Sequence, residues 1–227
     1  MLDYQYAYLF GNFFILLPIW LLLFFCRKDL KREILTVSMV VGLAGPFSEL
    51  LYLRDYWHPE TFFSYPFGLE GYSFGFFMGG IAAVIYEEIF GKRFSKSIGK
   101  TGIWFLFCLL LCFIVAILFF IFLLDINSIY TTSMVMIATA LGIIYIRKDL
   151  LVDAIVSGLS MGMVMFLSYI IFLYFFPEAI GRWWKIENVS GILVRGIPIE
   201  ELIWAFGWGM LGGPAYEFFA GLKFQTK

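Results

Sequence analysis

The side chains best suited to chemistry in this sequence are acids set inside apolar stretches. In Arg195-Gly-Ile-Pro198-Ile-Glu200-Glu201-Leu-Ile-Trp204-Ala-Phe206, two adjacent carboxylates follow a proline and lead straight into hydrocarbon residues. A carboxylate at the centre of a membrane helix costs roughly 2.5–3.5 kcal/mol on insertion scales, and less near an end. Two in succession need a physical reason. One is a helix start, with Pro198 at the first helical position and acids in the first turn complementing the positive end of the dipole. The other is acid–base chemistry in a membrane pocket. On a helix the two side chains point about 100° apart. One can therefore face inward while the other meets Arg195 or the helix start.

Few other acids lie in apolar stretches. Glu49 is near the end of one such segment and Glu70 opens the next. An acid in a last turn, as at Glu49, opposes the helix dipole unless it is protonated or paired. Carboxyls crowded at low dielectric cannot all ionise. One would then serve as a neutral acid, and a neighbour as an anion that accepts a proton or steadies a cation. Glu200, Glu201, Glu70 and Glu49 are the candidate catalytic groups. Glu87, Glu88 and Glu217 sit beside Lys92, Arg93 and Lys223 and read as solvated helix ends or partners of those cations. Aromatic residues follow each candidate acid: Tyr52, Tyr56 and Trp57, then Tyr72, Phe74, Phe76 and Phe77, then Trp204, Phe206 and Trp208. They suit an interfacial belt, and equally a π-faced pocket for a carbocation or a polyene. Tyr52, Phe74, Trp204 and Trp208 are the candidate substrate contacts.

The elements that position these groups are membrane helices. The chain has 227 residues, 62% apolar and 15% charged, with a net charge of −1. This places it in the membrane class, and no basic run of the kind that tracks nucleic acid is present. Seven apolar segments can hold a spanning helix: roughly 7–26, 34–53, 70–90, 102–124, 128–146, 151–176 and 198–221. Twelve of the sixteen basic residues fall in connections on one side. That bias predicts an outside N-terminus and a cytoplasmic C-terminus in a multi-pass protein of the cell membrane. The other side carries long connections rich in Trp, Tyr and Pro. Pro18, Pro46 and Pro214 are expected to kink their helices. The three cysteines, Cys26, Cys108 and Cys112, read as core filler. With His58 the single histidine, in a loop, no zinc pattern exists.

The chain also repeats. Arg27-Lys-Asp-Leu30 recurs as Arg147-Lys-Asp-Leu150, an offset of 120, with Glu33 and Asp153 at matching places. Tyr86-Glu87 and Gly91 match Tyr216-Glu217 and Gly221, an offset of 130, which also sets Glu70 on Glu200. The fold expected is all-α, with two parallel three-helix repeats, 1–100 and 128–227, joined by a linker helix in 101–127. Sites in such folds commonly lie between the copies.

Pro198-Ile-Glu200-Glu201-Leu-Ile-Trp204 resembles the mark of the integral-membrane lycopene cyclases, Pro-x-Glu-Glu/Asp at the start of the third helix of each half. The likeness extends to Tyr8-Leu-Phe-Gly-Asn12 through Leu17-Pro18, and to the Tyr-Glu pairs that close segments three and seven. The first copy departs from the pattern: Gly68-Leu-Glu70-Gly71 keeps one acid and lacks the proline and the second acid. The resemblance implies an isomerising cyclase in carotenoid biosynthesis. An acid protonates a terminal double bond of a polyene, the cation closes a ring, and a base removes a proton. Glu200 or Glu201 would be the acid, and Glu70 and Glu49 the base or cation stabilisers. The partners implied are a hydrophobic polyene and the bilayer, and a homo-oligomer is compatible with this class. No cofactor is expected, since no G-x-G-x-x-G follows a strand. Two rivals remain at this level, a small-solute transporter of the same helix count and a non-catalytic relative of the cyclases.

Overall fold

In a computed structural model of the chain, the described residues are 3–62, 68–92, 94–97 (backbone only), 99 and 101–224. Arg93, Lys100 and Lys227, part of the basic bias, lie outside them. Seven long helices carry the fold: α1 Tyr4–Cys26, α2 Lys31–Tyr52, α3 Leu69–Phe90, α4 Ile103–Phe122, α5 Ser128–Ile146, α6 Leu151–Phe175 and α7 Ile199–Ala220. The first six are long and apolar enough to cross a membrane. Four glycines, a proline and three glutamates dilute the hydropathy of α7. It packs among the others all the same, and buries its glycines and glutamates.

The helices are hydrophobic over much of their circumference, so small residues decide which faces meet. α2 lies along α3 and α6 along α7, while α1 packs on α3 and α5 on α7. Glycines set the closeness of these pairs. A methyl group added at Gly45 would collide with the Gly71 carbonyl of α3, and one added at Gly209 with the Ser157 carbonyl of α6. α3 and α7 meet at the centre, where residues 130 apart in sequence touch one another. Phe74 stacks on Trp204 with ring centroids 6.1 Å apart. Trp208 Nε1 donates to the Met78 carbonyl at 3.2 Å. Ala82 fills the space in front of Gly212. These contacts recur every four residues, which is one face of each helix. α4 is apolar on all sides and largely unburied.

One end of the bundle carries matched arginine turns. Arg27 grips Asp29 through Nε and Nη2 at 3.1 and 3.0 Å, and Arg147 grips Asp149 in the same way at 2.8 and 2.7 Å. Each arginine also caps a neighbouring carbonyl: Arg27 those of Glu87 and Lys92, Arg147 that of Leu222. The hydrogen bonds to Asp29 and Asp149 hold both guanidinium pKa values above the usual arginine value. Short strands β1 Phe94–Ser97 and β4 Leu222–Phe224 pair antiparallel at this end. The opposite end is aromatic. There β2 Leu193–Val194 and β3 Ile197–Pro198 form a hairpin around Arg195 and Gly196, whose φ angles are +56° and +82°. Positive φ at both central residues is the geometry of a tight hairpin turn. The hairpin delivers Pro198 as the N-cap of α7, one position earlier than the sequence suggested.

Another expectation is corrected. Cys26, Cys108 and Cys112 are exposed on the apolar surface and do not fill the core. Pro46 and Pro214 lie inside α2 and α7. Ahead of Pro18, α1 widens to a π-helical turn over Gly11–Leu16, since proline cannot donate the ordinary helical bond.

Gly45→Ala and Gly209→Ala are each expected to destabilise the protein by about 1–3 kcal/mol by overpacking a helix contact. Gly142→Ala, where nothing lies within 4 Å of the added methyl, should be neutral or slightly stabilising. Thermal unfolding of the detergent-solubilised variants checks the contrast.

Candidate functional site

At the aromatic end α1, α2, α3, α6 and α7 enclose a cavity of about 950 Å³ that continues along α4 and α5 towards the basic end. Its walls are mainly hydrocarbon and aromatic rings. On α7 the lining runs from Glu201 to Ala220. That stretch is about 28 Å long at ~1.5 Å per residue. Glu49 and Glu201 are the two carboxyl groups in its lining.

Glu201 is 8% exposed, at the third position of α7. Its Oε1 accepts from Tyr56 Oη at 2.7 Å and from Trp184 Nε1 at 2.8 Å, with the Tyr169 side chain beside the carboxyl group. Burial, and then the charge of Glu201, hold the Tyr56 phenol above its ordinary pKa, so it donates as a neutral hydroxyl. Trp184 follows the short helix Ala179–Trp183 and bridges to Trp57, which lines the cavity. Two aromatic donors from two chain segments thus orient one carboxyl group, as a buried acid requires.

Glu49 is 4% exposed, in the last turn of α2. Tyr8 Oη donates to its Oε1 at 2.6 Å. The carboxyl group sits against Gly71, where a Cβ would come within 2.6 Å of it. By the 130 offset Gly71 matches Glu201, and by the 120 offset Glu49 matches Tyr169. At Glu49, therefore, α2 supplies the carboxyl and α3 the gap, while at Glu201 α7 supplies the carboxyl and α6 a tyrosine.

Glu200 and Glu70 do not line this cavity. Glu200 faces the other side of α7, where its Oε1 accepts from Ser190 N at 2.9 Å and Tyr130 Oη at 3.0 Å. It does not pair with Arg195, which is exposed at the hairpin tip. Glu70 turns back to the loop, accepting from Phe62 N at 2.9 Å. Both are helix-start acids that tie down the segment preceding their helix. The 100° step between adjacent helical positions is the reason Glu201 alone of the pair reaches the cavity.

The four candidate contact residues, Tyr52, Phe74, Trp204 and Trp208, all line the cavity. Trp204 Nε1 donates to Tyr52 Oη at 2.7 Å, and that hydroxyl reaches Thr132 Oγ1 at 3.1 Å. Trp204 and Trp208 stack at 6.5 Å. Asn12, in the π-helical turn, donates to the Glu70 carbonyl at 2.8 Å and Ser73 Oγ at 2.9 Å. Tyr8, Tyr56, Tyr169 and Trp184 were not singled out as partners of the acids. Tyr8 lies in the motif Tyr8-Leu-Phe-Gly-Asn12, and that motif was the available signal. Trp184 is 17 residues away in sequence from the group it orients in space and carries no local signal. His58 stays in the loop, its N–H bonded to the Trp183 carbonyl at 2.7 Å. Burial, then Lys185, hold its imidazole below the ordinary pKa.

Fold and site together define an all-helical, multi-pass membrane protein with an acid-bearing apolar cavity. Residues 127–219 match the family model described as lycopene cyclase. No curated protein and no solved structure matches the chain.

Tyr56→Phe, which removes one of the donors to Glu201, is expected to lower stability by about 1–3 kcal/mol, because a buried acceptor loses a partner. Tyr130→Phe, which removes an exposed donor to Glu200 while the Ser190 amide still meets that carboxyl group, should change it by less than half as much. Denaturation midpoints of the two variants give the comparison.

Proposed function

We propose that the protein is a carotenoid cyclase that closes a ring at the end of a lycopene-type polyene, with Glu201 as the acid. The observation that carries this reading is one buried carboxyl group, oriented by two aromatic donors, at the head of a long apolar cavity with a second carboxyl group, Glu49, in the same lining. A linear polyene suits a cavity of this shape, with its end group among Glu201, Tyr52 and Trp204. Glu201 protonates the terminal double bond, and the resulting tertiary cation is attacked by the next double bond. The ring closes and the positive charge moves to a ring carbon. Glu49, as the anion, removes a proton from the adjacent carbon, which regenerates a double bond. One proton enters and one leaves, so the reaction is an isomerisation without net redox change. The π faces of Phe74, Trp204 and Trp208 stabilise the cation in transit, and the dry walls keep water from trapping it.

This reading includes the finer topology. The chain is two parallel three-helix repeats, 1–100 and 128–227, joined by the helix in 101–127. Its N-terminus is outside and its basic end is in the cytoplasm of a cell-membrane protein. The α3–α7 contacts between residues 130 apart support the duplication, because an approximate two-fold axis between the helices would bring such residues together. Glu70 and Glu200 then serve as positioning residues for the two helix starts.

Expression in lycopene-accumulating bacteria, with chromatography of the pigments, tests the proposal. The wild type should yield ringed products. Glu201→Gln should lower ring formation by about 10²-fold or more, the scale of a lost general acid. Glu49→Gln should give a comparable loss, and Glu200→Gln a much smaller one. Absence of ringed products from well-folded wild type, or equal loss from Glu200→Gln and Glu201→Gln, would overturn it.

A further inference from the structure

The basic end of the bundle holds a second group of acids that ring closure does not use. Glu33 and Asp153 lie in the first turns of α2 and α6, and Glu87 and Glu217 in the last turns of α3 and α7. The sequence places Glu87 and Glu217 as solvated ends or partners of nearby cations, and the structure corrects this. Glu33, Glu87, Asp153 and Glu217 are 2%, 1%, 1% and 0% exposed. Glu88, beside them, does behave as expected: it is exposed and pairs with Arg27 at 3.4 Å.

One oxygen from each of Glu33, Glu87 and Glu217 lies within 4.8 Å of the others. Among the described residues, neither carboxyl oxygen of Glu33 or of Glu217 meets a hydrogen-bond donor, nor does Glu87 Oε1 or Asp153 Oδ2. Asp153 Oδ1 accepts from Ser157 Oγ at 3.0 Å. Arg27 and Arg147 are within electrostatic range but direct their N–H groups to Asp29, Glu88, Asp149 and backbone carbonyls. Glu87 and Glu217 moreover sit at the negative ends of their helices. Buried, unpartnered oxygens that converge from four helices ask for a cation, because burying carboxylates without a counter-charge is costly.

We propose that Glu33, Glu87 and Glu217, with Asp153 beside them, form a binding site for one divalent cation of hard, oxygen-seeking character, such as Ca²⁺ or Mg²⁺. Hard cations take oxygen ligands at about 2.0–2.6 Å, so ligand oxygens lie no more than roughly 5 Å apart across the ion. The spacing here is of that size. The site takes ligands from α2 and α3 in one half and from α7, with α6 adjacent, in the other. A bound ion therefore clamps the two halves at the end remote from the aromatic cavity. A pattern search for His and Cys does not find such a site, since its ligands are carboxylates far apart in sequence. The proposal does not depend on the cyclase reading.

The test uses full-length protein in detergent, stripped with a chelator and desalted. Ca²⁺, Mg²⁺ and Mn²⁺ are titrated in separately, and bound metal and the thermal midpoint are both measured. About one ion per chain and a raised midpoint are expected for at least one of these cations. Glu87→Gln and Glu217→Gln should each weaken the apparent affinity at least tenfold, while Glu88→Gln leaves it unchanged. The wild-type stoichiometry stands alone if the Gln variants fold poorly. No stoichiometric ion and no rise in midpoint at millimolar metal would overturn the proposal. So would a rise that persists in the Glu87→Gln/Glu217→Gln double variant.

Discussion

A carboxyl group in an apolar bundle persists only where donors or a cation meet it, and the aromatic end of this protein is built around that constraint. Glu201 is held by Tyr56 and Trp184, with Tyr169 beside it, and Glu49 by Tyr8. The loop after α6 has to fold back so that Trp184 can donate. The turn after α2 has to place Tyr56 under α7. The hairpin of β2 and β3 fixes where α7 begins, and so which of the two adjacent glutamates points inward.

The same constraint governs the backbone contacts. Close approach of α2 to α3 at Gly45, Gly71 and Gly75 makes room for Glu49 to lie over a residue with no side chain. On the other side Gly158 and Gly209 bring α6 against α7, which sets Tyr169 beside Glu201. Small residues thus do two things: they replace the hydrophobic drive that is weak between helices in lipid, and they position the acids. The central contacts of α3 with α7, Phe74 on Trp204 and Met78 with Trp208, join these helices into one wall.

The helices were legible in the sequence almost to their ends, because runs of twenty apolar residues bounded by charges leave little choice. The acid pair was legible as a site, since two carboxylates entering hydrocarbon are costly wherever they occur. Which of the two faces inward was not, because it depends on the rotation of α7 set by the hairpin turn at Arg195 and Gly196. Glu70 matched Glu200 in sequence, and both turn out to bind loop amides rather than line the cavity. The exchange of roles between Glu49 and Gly71 was hidden, since no alignment of one half on the other pairs an acid of α2 with an acid of α7. The fate of Glu87 and Glu217 was misread for a related reason. Nearby lysines and arginines suggested solvent and ion pairs, yet the arginines turn to Asp29, Asp149 and carbonyl groups and leave the four acids buried.

The central claim is that this cavity hands a proton from a buried acid to a carbon–carbon double bond. Isotopic labelling of the product reports on that step most directly. Ring closure carried out in heavy water by membranes containing the protein should give products that carry one deuterium for each ring, since the carboxyl proton of the acid exchanges with solvent between turnovers. Ringed products without solvent deuterium would contradict the account, because ring closure would then begin by some step other than proton delivery.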